Sequence, residues 1–284
     1  MKQLRIDRLL TLYLFYYAMA VMRRPSEWRI PILMYHSISE DNVSSRTHPY
    51  YQTNTSPAIF EAHMEYLYKN NYRIVGLKEA VKLLRNGEKD KVKYAVITFD
   101  DGFRDFYTDA FPIMKQYGFS STVFLPTAFI NKKREKFKNR ECLSWDEVRE
   151  LNSKEINFGS HTVNHLQLQF MGKKEIEHEL MYSKEAIESN LRCPVESFSY
   201  PFAYPEDSDF KKYLRDCLEK SGYKNGVSTR IGTTDSNDDY YSMKRIPVNS
   251  CDDIPLFKAK LEGSYDWLYS VQYLSKKFKR HKKT

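Results

Sequence analysis

The feature that most restricts the fold of this chain is a repeated alternation of short apolar runs with longer segments of helical spacing. Residues 30–35, 94–99, 121–125, 156–159, 197–200 and 244–248 read as buried strands. Between them, 57–70, 77–86, 106–117, 144–152, 173–190 and 208–221 carry apolar residues at helical spacing. Pro57 after Ser56 is a natural helix start, and Ser144 with Glu147 makes a capping-box pattern. Such alternation implies parallel strands with helices outside them, hence an open sheet or a barrel. No fixed-period repeat and no Pro/Gly/Ser-rich linker divides the chain. One domain is therefore expected over 25–275, between an apolar and basic segment 1–24 and a basic tail 276–284.

Composition bounds the partners. The formal charge of +8 suits anionic membrane surfaces, phosphate-bearing substrates or nucleic acid. Much of it lies in the tail from Lys276 to Lys283, which no nucleic-acid motif accompanies, so nucleic acid is set aside. Cys142, Cys193, Cys217 and Cys251 lie far apart and form no Cys-x-x-Cys pair, which argues against a thiolate zinc site. Near the N-terminus, residues 9–22 are mainly apolar, with Arg8 before them and Arg23 and Arg24 after. This run is short for a membrane-spanning helix. Tyr13, Phe15, Tyr16 and Tyr17 fit a helix lying on the cytoplasmic face of a membrane, giving a peripheral contact. Ala18-Met19-Ala20 instead fits a secretory cleavage site, which would place the protein outside the cytoplasm, and a plain buried helix is the third reading.

The chemistry-bearing residues fall at the ends of expected strands. The run 94–99 leads straight into Asp100-Asp101-Gly102, two adjacent carboxylates at a turn. Their repulsion calls for a nearby cation, although the tripeptide alone is as readily an ordinary turn or helix cap. A second cluster, Ser160-His161-Thr162-Val163-Asn164-His165, follows the run 156–159. Two imidazoles and one carboxylate leave coordination positions open for water and substrate, as a catalytic metal requires. Gly102 belongs to no Gly-x-Gly-x-x-Gly turn, which excludes a dinucleotide-binding reading.

On these motifs the sequence resembles the polysaccharide deacetylases, carbohydrate esterase family four, also called the NodB-homology domain. Thr98-Phe99-Asp100-Asp101-Gly102 matches the family's first motif and the His161 to His165 segment its second. Tyr200-Pro201-Phe202 resembles the third, which lines the groove and supplies a backbone N–H to the oxyanion. The resemblance implies a distorted (β/α) barrel with fewer than eight strands. It also implies that Asp101, His161 and His165 hold one divalent metal ion, Zn²⁺ or a related one, with Asp100 as the general base.

Two departures shape the remaining expectations. The family's catalytic acid is a late histidine, but the late histidine here, His281, sits in the basic tail. The apolar run ending in His36 resembles the opening strand of the circularly permuted exopolysaccharide deacetylases, so His36 is expected as the acid. Ser199 stands where the third motif commonly carries Arg, which leaves Arg245 as the cation that would steady Asp100. Asp266-Trp267 gives no secure match to the fourth motif. The expected activity is metal-dependent hydrolysis of an N-acyl group, foremost N-acetyl, on an amino sugar of a polysaccharide or its lipid-linked precursor. Deformylation of a polyprenyl-phosphate-linked sugar and a non-catalytic carbohydrate-binding barrel are the alternatives.

Overall fold

Lys93–Phe99 is buried along its whole length beyond Lys93, so both faces of this strand are covered, as in a parallel sheet wrapped by helices. The computed structural model describes residues 5–17, 28–40, 52–87 and 91–273. We number the barrel strands β1 (Ile32–Tyr35), β2 (Lys93–Phe99), β3 (Thr122–Leu125), β4 (Asn157–Ser160), β5 (Ser197–Ser199), β6 (Asn225–Ile231) and β7 (Met243–Pro247). They pair in the order β1-β7-β6-β5-β4-β3-β2, and β2 pairs again with β1, which closes a seven-stranded barrel. Every pairing in the ring is parallel. The first and last strands of the ring in sequence are thus neighbours, with Leu33 opposite Ile246. A further short strand, Tyr72–Ile74, pairs in parallel with the start of β2.

Side-chain alternation sorts the core into two clusters. Ile32, Val96, Phe124, Val227 and Met243, from five barrel strands, pack with Leu77, Ala80, Val81 and Leu84 of the helix Leu77–Asn86. The alternate residues Leu33, Tyr35, Ile97, Phe99, Val123 and Leu125 pack against the surrounding helices. On β2 the period of two therefore sets Val96, Thr98 and Asp100 on one face. On β7 it pairs Met243 with Arg245. Between β3 and β5 the approach is close enough to demand glycine: a Cβ on Gly159 would stand 2.5 Å from the Phe124 ring and 2.8 Å from the Ser197 carbonyl oxygen.

Helices expected from spacing are observed at Pro57–Lys69, Leu77–Asn86, Trp145–Asn152, Lys173–Leu191 and Ser208–Lys220. Ser56 caps the first through its side chain, and the Ser144–Glu147 box is formed in both directions. The segment 106–117 forms a π-helical stretch, Phe106–Ala110, followed by α-helix Phe111–Gln116. Spacing did not signal the helix Ile254–Leu261, capped by Asp253. At the N-terminus Ile6–Leu10 is α-helical and Thr11–Phe15 continues it as a π-helix. This helix packs on the body: Tyr265 Oη donates to Asp7, Trp267 Nε1 donates to Thr11 Oγ1, and the Phe15 and Trp267 rings stack at 4.7 Å. Ala18-Met19-Ala20, Arg23, Arg24 and the tail with His281 lie outside the described residues.

His63, on the helix Pro57–Lys69, is fully buried between β1 and the segment before Ile254–Leu261. Its Nε2 lies 2.8 Å from the Asp252 carbonyl oxygen, so Nε2 carries the proton and Nδ1 accepts from Tyr35 Oη at 3.1 Å. Burial pushes this imidazole down to about 4. The unfolded chain binds a proton near pH 6.5 that the folded state refuses until about pH 4, so stability is intact above 6.5 and falls as pH drops through that window. The loss from this group is on the order of 2–3 kcal/mol. Urea unfolding of the parent and of His63→Gln at several pH values checks this. The variant should show a shallower loss of stability between pH 6.5 and 4, and equal slopes would remove the assignment.

Candidate active site

The C-terminal ends of the parallel strands bring the motif residues together, which is where barrel enzymes keep their chemistry. Asp100 and Asp101 follow β2, His161 and His165 follow β4, Tyr200 to Phe202 follow β5, and His36 follows β1. Arg245 reaches the same region from within β7. The two adjacent aspartates play different parts because their backbones differ. Asp100 continues the extended strand, its N–H bonded to the Tyr35 carbonyl, whereas Asp101 turns into the left-handed region at φ 70°. Gly102 follows at φ 59°, and a Cβ there would stand 2.9 Å from Leu125.

Arg245 is fully buried, and each of its N–H groups is used. Nη1 donates to Asp100 Oδ1 at 2.8 Å and Nη2 to Oδ2 at 2.7 Å. The other bonds go to Thr98 Oγ1, Ser199 Oγ and the Ser228 carbonyl. Burial alone would push the Asp100 carboxyl up, but the adjoining guanidinium outweighs it and holds the group well below the usual carboxylate range. Ser199, in the place where the resembling family carries Arg, donates its hydroxyl to Asp100 Oδ1 at 3.2 Å. Its small side chain stands beside the guanidinium that enters from β7.

Asp101, His161 and His165 form the second group, all buried, with one ligand atom from each within 4.8 Å of the others. His161 Nδ1 lies 2.8 Å from the Ser199 carbonyl oxygen, an acceptor only, so Nδ1 carries the proton and Nε2 offers its lone pair toward Asp101. Burial pushes His161 down to about 4, which keeps it neutral and able to ligate at neutral pH. Asp101 Oδ1 is buried and accepts no hydrogen bond, although His165 Nε2 stands 3.1 Å away. A close contact without hydrogen-bond geometry, between a carboxylate oxygen and two imidazoles, is what a cation held by all three would require. The residues therefore fit a divalent ion.

The loop carrying the histidines is held from below. Glu179, on the helix Lys173–Leu191, accepts from the N–H groups of Val163 and Asn164 and from the Asn164 side chain. Thr162 at φ 69°, His165 at 54° and Phe202 at 57° join Asp101 in the left-handed region. Such backbone is uncommon for these residue types and concentrates here around one mouth. The Phe202 ring, half exposed, lies 4.8 Å from His165, while Tyr200 is buried against Phe198 and Tyr204, and Pro201 is buried too. His36 makes no hydrogen bond to another described residue. Burial lowers its imidazole, with Asp101 and Asp100 drawing it up and Arg245 and Lys138 pushing it down, which places it in the field of the same cluster. Asp266 and Trp267 belong elsewhere: Asp266 accepts from Thr233 and pairs with Arg29, and Trp267 meets the N-terminal helix.

The sequence model described as polysaccharide deacetylase matches residues 87–226. YxkH of Bacillus subtilis, whose name describes it as a polysaccharide deacetylase, is 31% identical over 221 residues, covering 78% of this chain and 72% of that protein. The chain belongs to the polysaccharide deacetylase family. It is accordingly a hydrolase of the deacetylase type. A poly-beta-1,6-N-acetyl-D-glucosamine N-deacetylase of Staphylococcus aureus is 24% identical, covering 68% of this chain and 67% of that one. Among solved structures, the Streptococcus pyogenes deacetylase PplD shares the fold at a TM-score of 0.72 with 23% identity, covering 83% of this chain and 99% of PplD. IcaB from Ammonifex degensii does so at 0.67 with 19% identity, covering 82% and 97%.

One site residue was not signalled by the motifs. Lys138 sits in the two-residue turn between Lys136–Phe137 and Arg140–Glu141, and its Nζ donates to Asp101 Oδ2 at 2.9 Å. Lys138 and Asn139 both have positive φ, and the Asn is the only sequence cue to such a tight turn. The ammonium engages Oδ2 and leaves Oδ1 facing the imidazoles, so it competes for charge with any cation held there. With its side chain 48% exposed, that competition is screened. Lys138→Met should tighten divalent-metal binding by up to about fivefold, the scale of an exposed pair. His165→Ala should instead abolish stoichiometric binding. Isothermal titration with Zn²⁺ reads both, and unchanged affinity in the Lys138 variant would show that the ammonium does not compete.

Proposed function

We propose that the protein removes N-acetyl groups from an N-acetylglucosamine polymer, with Asp100 as general base and His36 as general acid. The observation that carries this reading is the pairing of a carboxylate kept ionised by a buried arginine with a neighbouring carboxylate whose free oxygen faces two imidazoles. The relative from Staphylococcus aureus supports the choice of polymer. Asp101, His161 and His165 would hold the metal, foremost Zn²⁺, which when bound polarises the acyl carbonyl and acidifies a water.

The chain's own groups divide the remaining work. Arg245 occupies one lone pair on each oxygen of Asp100 and Ser199 the second on Oδ1, which leaves a lone pair on Oδ2 to accept the proton of an attacking water. The water oxygen bonds to the acyl carbon, and the carbonyl oxygen gains negative charge that the Phe202 N–H, on its left-handed backbone, would receive. Cleavage of the C–N bond then needs a proton on the departing nitrogen. We assign that donation to His36, which follows β1 and feels the charge of both aspartates.

Mass spectrometry of poly-β-1,6-N-acetylglucosamine oligomers after incubation with metal-loaded protein tests the reaction. Successive losses of acetyl are expected, and unchanged masses would overturn it. Asp100→Asn should keep the metal and lose turnover by roughly two to four orders of magnitude, the scale of a lost base. His36→Ala should also keep fold and metal, with a loss of similar scale on the amide and a smaller one on an ester analogue whose leaving group needs less proton assistance. Amide turnover at the parent rate in either variant would remove the role assigned to that residue.

A further inference from the structure

The N-terminal helix is built inside out. Its buried positions are Asp7 and Thr11, both polar, bonded to Tyr265 and Trp267. Its outward positions are apolar or aromatic: Ile6 is 60% exposed, Leu9 40%, Tyr13 70%, Leu14 55% and Tyr17 66%. A helix that only braced a soluble domain would turn this stripe inward. The patch continues onto the segment that holds the helix. Val271 and Tyr273, one turn and more beyond Trp267, are 48% and 40% exposed. These two segments, joined through the contacts of Trp267 with Thr11 and Phe15, together carry half of the large apolar residues left exposed among the described ones.

We propose that this face lies in the headgroup region of an anionic lipid bilayer. Charge decides for lipid over other occupants. Arg23 and Arg24 follow Tyr17 closely in sequence, and Lys276, Lys277, Lys279, Arg280, Lys282 and Lys283 follow Tyr273. Both apolar segments thus run directly into basic ones, the pattern that adds attraction to anionic headgroups to apolar insertion. Tyrosines with an apolar ring and a polar tip suit that depth. A second copy of the chain is a poorer occupant, because a stable protein interface takes about 20–30 residues a side. Among the described residues no helix is long and apolar enough to span a membrane.

Arg5 pairs with Asp7 and Asp252, and Arg8 with Asp253, so the helix is tied to the barrel by ion pairs that cleavage after Ala20 would remove. The other half of the patch adjoins the mouth. Gln272 Nε2 donates to the Thr229 carbonyl, and Thr229 Oγ1 donates to the carbonyl of Phe202. A bilayer on this face would hold the site beside the membrane, facing glycan close to the lipid surface.

The proposal does not rest on the chemistry assigned to the site, and its test is separate. The full chain is floated with phosphatidylcholine vesicles and with phosphatidylcholine/phosphatidylglycerol vesicles, at low and high salt. The parent should float with the anionic vesicles and lose most of that binding at high salt. Leu9→Glu combined with Tyr13→Glu and Tyr17→Glu changes only exposed positions, so it should keep the parent's melting temperature and lower partitioning by about tenfold or more. Equal flotation of parent and variant, or no flotation of the parent, would overturn the proposal. So would a parent dimer in light scattering that the same variant dissociates, with vesicles left unbound, since that would assign the face to a second copy.

Discussion

Arg245 and Asp100 are both buried at the centre of the barrel, and each is the other's charge partner. Removing two such ions from water costs several kcal/mol apiece, an expense met only when geometry is good and every remaining proton is bonded. Here the guanidinium is satisfied by β2 through Thr98 and Asp100, by β5 through Ser199 and by β6 through Ser228, while its own backbone lies in β7. Closure of the barrel and ionisation of Asp100 are therefore one arrangement. The fold cannot form with these strands misplaced without stranding a buried charge, and the carboxylate cannot lose its partner without loosening the ring.

A second economy concerns the backbone. Asp101, Thr162, His165 and Phe202 adopt left-handed conformations that cost roughly 1–3 kcal/mol each outside glycine. The surrounding bonds engage all four. Lys138 engages Asp101, the Thr162 hydroxyl accepts from the His165 N–H, and Thr229 donates to the Phe202 carbonyl. Strain at these turns lets side chains from neighbouring loops converge on one point, which extended or helical backbone would splay apart. That the strain gathers where the ligand atoms meet is the physical mark of a site rather than of a poorly packed rim.

How far the sequence revealed this can be judged residue by residue. Six barrel strands were legible, β2 most plainly because its run 94–99 is nearly unbroken in apolar residues. β6 was not, because its buried residues include the polar Asn225 and Ser228, the latter bonded to Ser242 and Arg245 rather than packed by apolar contact. Periodicity counts apolar side chains and cannot see a polar residue buried with its partners. The metal-site residues were legible as motifs and Arg245 as a basic residue on a late strand, but the convergence of Thr98, Ser199 and Ser228 on one guanidinium depends on closure. Lys138 was invisible for a different reason: a lysine in a hairpin turn is ordinary until the fold sets that turn over Asp101. The helix Ile254–Leu261 escaped because it is apolar nearly all round and buries even Lys260 against Asp252.

Asp252 links the two ends of the molecule's logic. It takes Lys260 on one oxygen and lies 3.6 Å from Arg5 of the N-terminal helix through the other, and its carbonyl receives His63. His63 in turn accepts from Tyr35, the residue that precedes His36 and whose carbonyl bonds the Asp100 N–H. A continuous run of buried polar contacts thus leads from the outward-facing helix to the strand that carries the expected acid. Its effect is to fix the height of β1 in the ring by bonds as well as by packing. The candidate metal ligands His161 and His165, held instead through Ser199 and the loop that Glu179 bonds, stand outside it. Disturbance of the N-terminal helix should therefore reach the placement of His36 before it reaches Asp101, His161 and His165.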